Sequence, residues 1–535
     1  MTGEFYFPEV NGSGAALFDY DNDGDLDAYL VQGAFLDDGM SPEDAIFPPN
    51  TALPRDRLFR NDLGADGVLR FTDVTDESGI EQTGYGMGVA GADYDNDGWV
   101  DLYVTNLGSN QLLRNNGDGT FSDVTDVAGV DDTRWSIPAV FFDYDGDGWL
   151  DLYCGNYVDF NQGTHQVCRS ASGDSEHCGP ATFSPEGDSL FRNRGDGTFQ
   201  EVTASAGLGV AGSTMGAIAT DLNGDGRADL YVANDGLPNQ LWINAGDGTF
   251  RDEAVLAGVA VNAEGRAEAS MGVAVADFDG DGDDDLFLTH LRGETNTLYQ
   301  SSGQGFFDDA GIELGLATPS ISGTGFGTAW LDYDLDGRLD ILVTNGAVRP
   351  VAARLAEGSP YPLGQPNQLY RLTEAGTYED VSPRAGASFQ LFEVSRGAAF
   401  GDVDNDGDPD LLVINNSDPD LLVINNSGPA RLLVNNGGQD RTWVGLRTRG
   451  ADGLGDVLGA RVGVEVGDGP IIWRRIDTSG SYASASDPRA VVGLGAGVTA
   501  PLRAHVQWPD GTTEHYPVEA GRYNELRKGA GEPTP

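Results

Sequence analysis

The nine residues Asp93-Tyr-Asp-Asn-Asp-Gly-Trp-Val-Asp101 contain the pattern on which most of the chain is built. The pattern Asp-x-(Asp/Asn)-x-Asp-Gly-x-x-Asp occurs seven times in 535 residues, and its copies open at Asp19, Asp93, Asp143, Asp221, Asp277, Asp332 and Asp402. Small or apolar residues precede each copy, and a strand-like run such as Leu102-Tyr-Val-Thr-Asn106 follows it. Self-similarity of this kind predicts a repeat architecture with one structural unit per copy.

A second element follows the Asp pattern in most copies. One of its clearest forms is Leu112-Leu-Arg-Asn-Asn-Gly-Asp-Gly-Thr-Phe121, in which short apolar runs flank a Gly-Asp-Gly turn. Such turns are hairpin signals, so each copy supplies about four short strands, which is one blade of a β-propeller. The spacing between copies varies from 50 to 78 residues, which suits blades with loop insertions better than the regular coils of a solenoid.

The repeat stops near residue 438, and a different β-rich pattern continues to about residue 530. Apolar residues alternate in Gly459-Ala-Arg-Val-Gly-Val-Glu-Val466, and turn-forming Gly, Pro and Asp occur in segments such as Val506-Gln-Trp-Pro-Asp-Gly-Thr512. Both features indicate a small β module. The predicted fold is therefore all-β: a seven-bladed β-propeller over residues 1–438 with a small C-terminal β-sandwich-like domain over residues 439–530.

The charge balance limits the partners. Eighty-five Asp and Glu oppose 31 Lys and Arg, giving a formal net charge of −54 and a pI near 4.1. Nucleic acid and anionic membrane surfaces would be repelled, whereas divalent cations and basic surfaces would be attracted. The sequence contains no run of 18 apolar residues that would predict a membrane span. No export signal is visible at Met1, and we expect that an upstream segment has been lost.

The seven Asp loops, numbered 1 to 7 in chain order, are predicted to bind cations. Carboxylates crowded into nine residues repel one another unless a cation lies between them, and hard oxygen donors in a tight turn suit Ca²⁺. Mg²⁺ fits less well because it demands strict octahedral geometry. An EF-hand would need a Glu at position twelve, whereas these loops have Leu30, Val104, Cys154, Val232, Leu288, Val343 and Val413 there.

Positions one, three, five and nine are expected to contribute side-chain oxygens and position seven its backbone carbonyl, up to seven structural Ca²⁺ ions in all. The predicted ligands are Asp19, Asp21, Asp23, Asp25 and Asp27 in loop 1; Asp93, Asp95, Asp97, Trp99 and Asp101 in loop 2; Asp143, Asp145, Asp147, Trp149 and Asp151 in loop 3; Asp221, Asn223, Asp225, Arg227 and Asp229 in loop 4; Asp277, Asp279, Asp281, Asp283 and Asp285 in loop 5; Asp332, Asp334, Asp336, Arg338 and Asp340 in loop 6; and Asp402, Asp404, Asp406, Asp408 and Asp410 in loop 7.

These residues resemble a known family. Phe7-Pro-Glu-Val-Asn-Gly-Ser-Gly-Ala-Ala-Leu-Phe-Asp-Tyr-Asp-Asn-Asp-Gly-Asp-Leu-Asp27 and the later Asp loops are similar to the FG-GAP/VCBS repeats of integrin α-subunit propellers. Gly480-Ser-Tyr-Ala-Ser-Ala-Ser-Asp-Pro-Arg489 and Trp508-Pro-Asp-Gly511 resemble the ASPIC/UnbV domain. Together they resemble bacterial relatives of the cartilage acidic protein 1 family. The resemblance implies a seven-bladed, calcium-binding, exported protein and no known reaction; Asn223 departs from the Asp found at position three elsewhere.

The long insertion at 159–188 contains two of the three cysteines. A disulfide between Cys168 and Cys178 is the first interpretation, because export favours it. A zinc site formed by His165, Cys168, His177 and Cys178 is the alternative, although its spacing matches no standard zinc pattern. Cys154 lies at an apolar strand position and is expected to be a buried free thiol. His290 replaces the Asn that follows the strand in other copies, as a neutral substitution or as a group in the propeller mouth.

A ten-residue segment is repeated without change. Residues 408–417 and 418–427 have the same sequence, and only the first copy continues an Asp loop. We therefore expect the first copy to form the blade strand and the second to form an extra strand or bulge.

Three functional hypotheses remain from the sequence. The leading one is a non-enzymatic, calcium-stabilised scaffold that is secreted, periplasmic or on the cell surface. It would bind a protein or glycan ligand, directly or through a bridging cation, with loops such as 159–188 and 346–366 on one face. The second is a polysaccharide lyase or hydrolase that uses the propeller mouth, since fold alone does not decide function. The third is a structural subunit whose C-terminal module docks into a neighbour.

Overall fold

The structure is a computed structural model, and it describes residues 5–36, 54–64, 67–81, 84–170, 173, 175–356, 358–359, 362–416 and 430–533. Within them, seven antiparallel sheets follow one another along the chain, one for each Asp loop. Six of these sheets have four strands, and the described part of the seventh has three.

The strands of the first four blades are Ala15–Phe18 (β1), Asp27–Leu30 (β2), Arg57–Asn61 (β3) and Phe71–Asp73 (β4); Tyr85–Ala92 (β5), Asp101–Leu107 (β6), Gln111–Asn115 (β7) and Phe121–Asp123 (β8); Ser136–Phe142 (β9) and Asp151–Asn156 (β10), then, after an inserted hairpin of Cys168–Arg169 (β11) and Ser175–Glu176 (β12), Ser189–Asn193 (β13) and Phe199–Glu201 (β14); and Thr214–Thr220 (β15), Asp229–Asn234 (β16), Gln240–Asn244 (β17) and Phe250–Asp252 (β18).

The remaining blades consist of Val273–Ala276 (β19), Asp285–Leu288 (β20), Thr297–Ser301 (β21) and Phe307–Asp309 (β22); Gly325–Leu331 (β23), Asp340–Asn345 (β24), Gln368–Leu372 (β25) and Tyr378–Asp380 (β26); and Ser395–Gly401 (β27), Asp410–Asn415 (β28) and Arg431–Leu433 (β29). The first strand of each blade packs against the first strand of the next, and β27 packs against β1. The blades therefore close into a ring, and the predicted propeller is confirmed.

Glycines allow the inner strands to approach closely at the ring axis. A Cβ atom on Gly272 would lie 1.9 Å from the carbonyl oxygen of Phe326 in the next blade, and one on Gly88 would lie 2.4 Å from that of Ile137. Larger residues at these positions would push neighbouring blades apart.

A repeated asparagine joins neighbouring blades at the Asp-loop end. Asn115, at the end of β7, donates from Nδ2 to the carbonyl oxygen of Tyr20 in loop 1 at 2.8 Å. The same bond recurs between other neighbouring blades and pairs Asn61 with Val403, Asn193 with Tyr94, Asn244 with Tyr144, and Asn435 with Tyr333. Each buried amide thus satisfies a backbone carbonyl of the preceding blade.

Six short helices interrupt the strands in the described part of the chain: Thr75–Ser78 (α1), Thr125–Ala128 (α2), Thr203–Ala206 (α3), Ala254–Ala257 (α4), Ala317–Ser320 (α5) and Ala352–Ala356 (α6). Single 3₁₀ turns span Phe7–Val10, Gln162–Thr164, Pro180–Thr182, Ser382–Arg384 and Ala387–Gln390. The first four α-helices each follow the last strand of a blade. Among the described residues, no helix is long and apolar enough to cross a membrane.

The C-terminal residues 442–533 form a second domain, here called the cap. Its strands are Thr442–Arg449 (β30), Arg461–Val466 (β31), Ile471–Arg475 (β32), Ala490–Gly495 (β33), Leu502–Gln507 (β34), Thr513–Pro517 (β35), Tyr523–Arg527 (β36) and Glu532–Pro533 (β37). They form one sheet in the order β33-β30-β36 and another in the order β32-β31-β34-β35-β37. Val444, Val462 and Trp508 contribute to one buried core shared by the two sheets, as the sandwich-like prediction requires.

The cap inserts a segment into the propeller channel. This plug, residues 480–486, pairs with inner strands: Ser481 and Val273 exchange backbone hydrogen bonds, and Ala485 N donates to Ala15 O at 2.9 Å. Tyr482 is fully buried, packs edge-on against Phe326 and donates its hydroxyl to Asn11 O. Because these partners come from the first, fifth and sixth blades, the plug lies on the ring axis.

The channel is also filled from its opposite end. Phe7 stacks on Phe183 and contacts the rings of Trp135 and Tyr157, and all four belong to the cluster that includes Tyr482. Arg396, on β27, is fully buried with its guanidinium over the Phe326 ring, and it donates to the carbonyl oxygens of Val10 and Gly346. Aromatic side chains, the Arg396 guanidinium and the plug backbone therefore occupy the middle of the channel.

The duplicated segment is divided between described and undescribed residues. Asp410, in the first copy, begins β28, as predicted for that copy. The predicted extra strand or bulge of the second copy, 418–427, lies outside the described residues.

Candidate metal centres on the aspartate loops

Each Asp loop is a hairpin turn between the first and second strands of a blade. In loop 2, the last residue of β5, Ala92, pairs with the ninth-position Asp101 across the base of the turn. Asp93 Oδ1 accepts a hydrogen bond from the amide of Asp97 at 3.0 Å, and Asp93 Oδ2 accepts one from Gly98 at 2.9 Å. Gly98 has φ +93°, which lets the chain turn back beneath the carboxylate.

The turn brings together the carboxylates that the sequence placed at positions one, three and nine. Single oxygens of three acidic groups lie within 4.8 Å of one another in at least five loops: Asp19, Asp21 and Asp27; Asp93, Asp95 and Asp101; Asp143, Asp145 and Asp151; Asp277, Asp279 and Asp285; and, with position five in place of nine, Asp332, Asp334 and Asp336. Such spacing is what one shared cation requires.

The ninth aspartate forms the floor of each loop. Asp27 is buried, and its oxygens accept hydrogen bonds from the amides of Tyr20 at 2.9 Å and Asn61 at 2.8 Å. Burial without a counter-ion raises the pKa of Asp27 to about 9 and those of Asp151 and Asp285 to about 8. A divalent cation beside these groups would favour the ionised form.

Several carboxylate oxygens are buried without a hydrogen-bond partner among the described residues. Asp19 is 6% exposed and its Oδ1 has no partner; the same holds for Oδ1 of Asp95, Asp334 and Asp404. A buried oxygen with no donor is costly, so these atoms fit the coordination of a cation. The donors are all hard oxygens, which matches Ca²⁺ in chemical character.

The variable seventh position has a structural role of its own. The Trp99 ring packs over Gly117 in the Gly-Asp-Gly hairpin of the same blade, where an added Cβ would lie 2.7 Å from Trp99 Nε1. Trp149 packs likewise over Gly195, and Arg227 over Gly246. In loops 4 and 6 the seventh-position arginines, Arg227 and Arg338, pair with the fifth-position Asp225 and Asp336. The backbone carbonyls predicted as ligands are thus attached to residues that anchor the hairpin.

Neighbouring loops are linked around part of the ring. Asn22 Nδ2 donates to Gly98 O at 3.0 Å, which joins loops 1 and 2. Asn96 Nδ2 donates to Gly148 O at 3.3 Å and joins loops 2 and 3, and Asn405 Nδ2 donates to Gly24 O at 3.3 Å and joins loops 7 and 1. The fourth position, which the pattern treats as free, therefore carries contacts between loops.

The sequence did not reveal the side chains that the cap brings to the loops. Arg447, Arg461 and Arg474 approach the opening aspartates of loops 1, 5 and 6, and the Tyr523 hydroxyl donates to Asp402 in loop 7 at 2.9 Å. These residues lie more than a hundred positions from their partners, and no local pattern marks them.

The cysteine and histidine candidates do not form a metal site. Cys168 and Cys178 are joined in a disulfide that links β11 to β12, which leaves no thiolate for the alternative zinc set. His177 Nε2 lies 3.8 Å from Glu9 Oε2, and its ring contacts Phe5. Cys154 is a buried free thiol beside Asn110, and burial raises its pKa.

Comparisons with known proteins match two parts of this architecture. The FG-GAP-like repeat family matches residues 93–154, 181–232, 221–288 and 278–343, and the ASPIC and UnbV family matches residues 450–533. The chain therefore carries FG-GAP-like repeats and an ASPIC and UnbV domain.

Among curated proteins, cartilage acidic protein 1 of Homo sapiens is 25% identical over 349 residues, which cover 64% of this chain and 47% of that protein. The Mus musculus protein of the same name is 28% identical over 183 residues, covering 31% and 27%. This chain thus spans less than half the length of these relatives.

Solved propeller structures are similar only at a distance. A lectin from Agrocybe aegerita has a TM-score of 0.37 at 16% identity, covering 72% of this chain and 89% of that one. The BP39L lectin from Burkholderia pseudomallei has a TM-score of 0.43 at 10% identity, covering 77% and 94%. Similarities this low do not indicate which ligand this chain binds.

Proposed function

We propose that this chain, a propeller of FG-GAP-like repeats closed on one face by an ASPIC and UnbV domain, is a calcium-binding scaffold that acts outside the cytoplasm. Up to seven Ca²⁺ ions would each hold one Asp loop, and the protein would bind a protein or glycan ligand without catalysing a reaction. The disulfide Cys168–Cys178 supports an oxidising compartment.

The observation that carries the calcium proposal is the set of buried carboxylate oxygens without partners. Asp19 Oδ1 and Asp404 Oδ1 lie in turns whose other carboxylate oxygens already accept backbone amides. A cation there would supply positive charge and the missing partners together. Because these oxygens are buried, the cation would stabilise the loop rather than take part in a reaction.

The filled channel supports binding rather than chemistry in the propeller mouth. The plug closes the channel from the cap side, and the Phe7, Trp135 and Tyr157 rings fill it from the other side. The lyase or hydrolase alternative placed its chemistry in the propeller mouth, and the plug and these rings lie there instead.

The face opposite the cap is the proposed contact surface. Connections between second and third strands lie at the opposite end of each blade from the Asp loops, because consecutive strands are antiparallel. There the Cys168–Cys178 hairpin reaches the 346–366 connection through Glu176 and Arg349, 4.0 Å apart. Leu355, 56% exposed, and Phe392, 46% exposed, provide apolar surface beside this contact.

The proposal is tested by a glycan array and a binding screen, each run with calcium and with EGTA, alongside an assay for unsaturated or reducing-end products. We expect to find ligands whose binding is lost in EGTA, and we expect no turnover in the product assay. Phe392→Asp should abolish binding of those ligands without lowering the melting temperature. Val255→Asp, at an 85% exposed residue of α4, is the control and should leave binding unchanged. Turnover that persists in homogeneous protein would refute the scaffold role.

A further inference from the structure

Among its contacts with the Asp loops, the cap repeats one at a chemically equivalent atom. In four loops a cap side chain reaches Oδ2 of the opening aspartate: Arg447 Nη1 at 3.4 Å from Asp19, Arg461 Nη2 at 3.2 Å from Asp277, Arg474 Nη2 at 3.6 Å from Asp332, and the Tyr523 hydroxyl at 2.9 Å from Asp402. Three of these contacts bring a positive charge to a proposed cation site, and the fourth brings a neutral hydroxyl.

The contacted oxygen is the one that already holds the turn. Oδ2 of Asp19 accepts the amide of Gly24 at 3.2 Å, and Oδ2 of Asp332 accepts the amide of Gly337 at 2.8 Å. Oδ1 of Asp19 has no partner among the described residues and is buried within the carboxylate cluster. Asp19 therefore presents one oxygen to the cap and one to the proposed ion.

Further contacts fix the cap arginines in place. Arg461 Nη1 donates to Gly282 O at 2.7 Å, and its guanidinium lies over the Trp473 ring. Arg474 donates to Gly337 O at 3.2 Å. Arg447 is held by both oxygens of Asp456, at 2.9 and 3.0 Å. Movement of these side chains away from a bound cation would break these contacts. Their charges therefore stay close to the ion.

The opening aspartates of loops 2, 3 and 4 differ. Among the described residues, no cap arginine pairs with Asp93, Asp143 or Asp221. The cap approaches Asp93 through the backbone of Gly455, where an added Cβ would lie 2.7 Å from Asp93 Oδ2. The cap thus distributes its charge unevenly over the ring.

We propose that Arg447, Arg461 and Arg474 set the cation affinity of loops 1, 5 and 6, each lowering it through like-charge repulsion of the bound ion. The inference rests on the proposed function, that the loops hold Ca²⁺. A fixed unit charge a few ångströms from a doubly charged ion alters its affinity by about tenfold or more, even in a water-like dielectric. By reciprocity, an ion in these loops weakens the hold of the same arginines on the propeller.

The matched pair Arg474 and Arg475 separates this effect from simple loss of docking. Both lie on β32, and both pair with a propeller aspartate. Arg474 faces the opening residue of loop 6, whereas Arg475 pairs at 2.6 Å with Asp284, which occupies the eighth position of loop 5 and is not a predicted ligand. Loss of either pair weakens docking, but only loss of Arg474 removes charge from an opening aspartate.

The test is calorimetric titration of the metal-stripped full chain with CaCl₂ for the wild type, Arg474→Gln and Arg475→Gln. We expect one ion to bind about tenfold more tightly to R474Q than to the wild type, and the R475Q isotherm to match the wild type. Arg461→Gln repeats the test on loop 5 at a more exposed side chain, should R474Q fail to fold.

Equal isotherms for R474Q, R461Q and the wild type would overturn the inference while the proposed function stands. An equal shift in R475Q would also overturn it, since docking alone would then explain the change. A wild type that takes up no calcium would refute the proposed function, and with it the inference.

Discussion

His290 occupies the position that asparagine occupies in most other blades, and it makes the same two contacts. Its Nδ1 lies 2.9 Å from Thr295 O, as the Nδ2 of Asn234 lies 3.0 Å from Pro238 O. Its Nε2 lies 3.1 Å from Ser270 Oγ, a contact that Asn156 Oδ1 makes with Ser136. The imidazole is therefore a buried structural group, and the neutral substitution considered from the sequence describes it better than a role in the mouth.

Burial makes this histidine sensitive to acid. It lowers the pKa of His290 to about 4, from an ordinary value near 6.5, because the charged form is poorly solvated. Between those values the unfolded chain binds a proton that the folded chain does not, so stability falls as pH drops from about 6.5 to about 4. Glu268, 3.9 Å away, gives little compensation, because burial raises its pKa to about 7.

His290→Asn should remove this acid sensitivity while keeping both contacts. We expect equal stability of the variant and the wild type at pH 7 and an advantage for the variant approaching about 3 kcal/mol near pH 4. Urea unfolding at the two pH values, in constant calcium, measures it. Equal losses of stability in the variant and the wild type between pH 7 and pH 4 would contradict the assignment of this acid sensitivity to His290.

At the scale of the element, each blade is held by contacts between its turns as well as by its strands. The seventh-position Trp99 covers the hairpin glycine Gly117, and Asn115 fastens the same hairpin to the preceding blade. The Gly-Asp-Gly turn thus requires glycine for two reasons: its backbone is left-handed, and the Trp99 ring leaves no room for a side chain at Gly117.

The matched glycines Gly117 and Gly119 separate those two requirements. Both have left-handed backbone, with φ +71° and +88°, but a Cβ on Gly119 meets nothing within 4 Å. Gly119→Ala should cost about 1–2 kcal/mol from backbone strain. Gly117→Ala should cost a further 1–3 kcal/mol or so, because its methyl group meets Trp99.

Denaturant unfolding of the two variants measures the difference. Trp99→Ala in the Gly117→Ala background should recover most of the additional loss. Equal destabilisation by the two glycine substitutions would show that the contact with Trp99 contributes nothing.

Elements encoded locally could be predicted from the sequence. The Asp pattern fixes a turn of nine residues and a following strand, so blade order and most proposed ligands followed from it. The four-residue helices α1 to α4 were missed because a single turn has no apolar periodicity. Their signal was the repeated glycine after the last helical residue, Gly79, Gly129, Gly207 and Gly258, each with positive φ.

At the scale of the whole molecule, the cap and propeller form one packed body. Two different patterns in the sequence predicted two domains, but neither pattern indicated that residues 480–486 enter the channel. Ser481 and Ala485 pair with strands more than two hundred residues away, and small residues of this kind carry no periodic signal. Docking of this sort depends on complementary surfaces, which composition and spacing do not encode.

Tyr482 is the principal side chain of the plug. Tyr482→Ala should destabilise the protein by about 3–5 kcal/mol, because it leaves a cavity against Phe326 on the channel axis. Tyr482→Phe, which loses only the hydrogen bond to Asn11 O, should cost about 1 kcal/mol.

Urea unfolding and limited proteolysis of the two variants measure the effect, and Tyr482→Ala should also increase cleavage between cap and propeller. A Tyr482→Ala protein within about 1 kcal/mol of the wild type would mean that the plug does not hold the cap.

The most direct test of the calcium proposal is thermal unfolding of the full chain before and after removal of metal, with elemental analysis of the same samples. We expect bound calcium in the purified protein and a melting temperature at least about 10 °C lower after EGTA treatment, since several ions bind only the folded state. Calcium, but not an equal concentration of magnesium, should restore it. A chelated protein that melts at the original temperature, with no alkaline-earth metal in the untreated sample, would contradict the account.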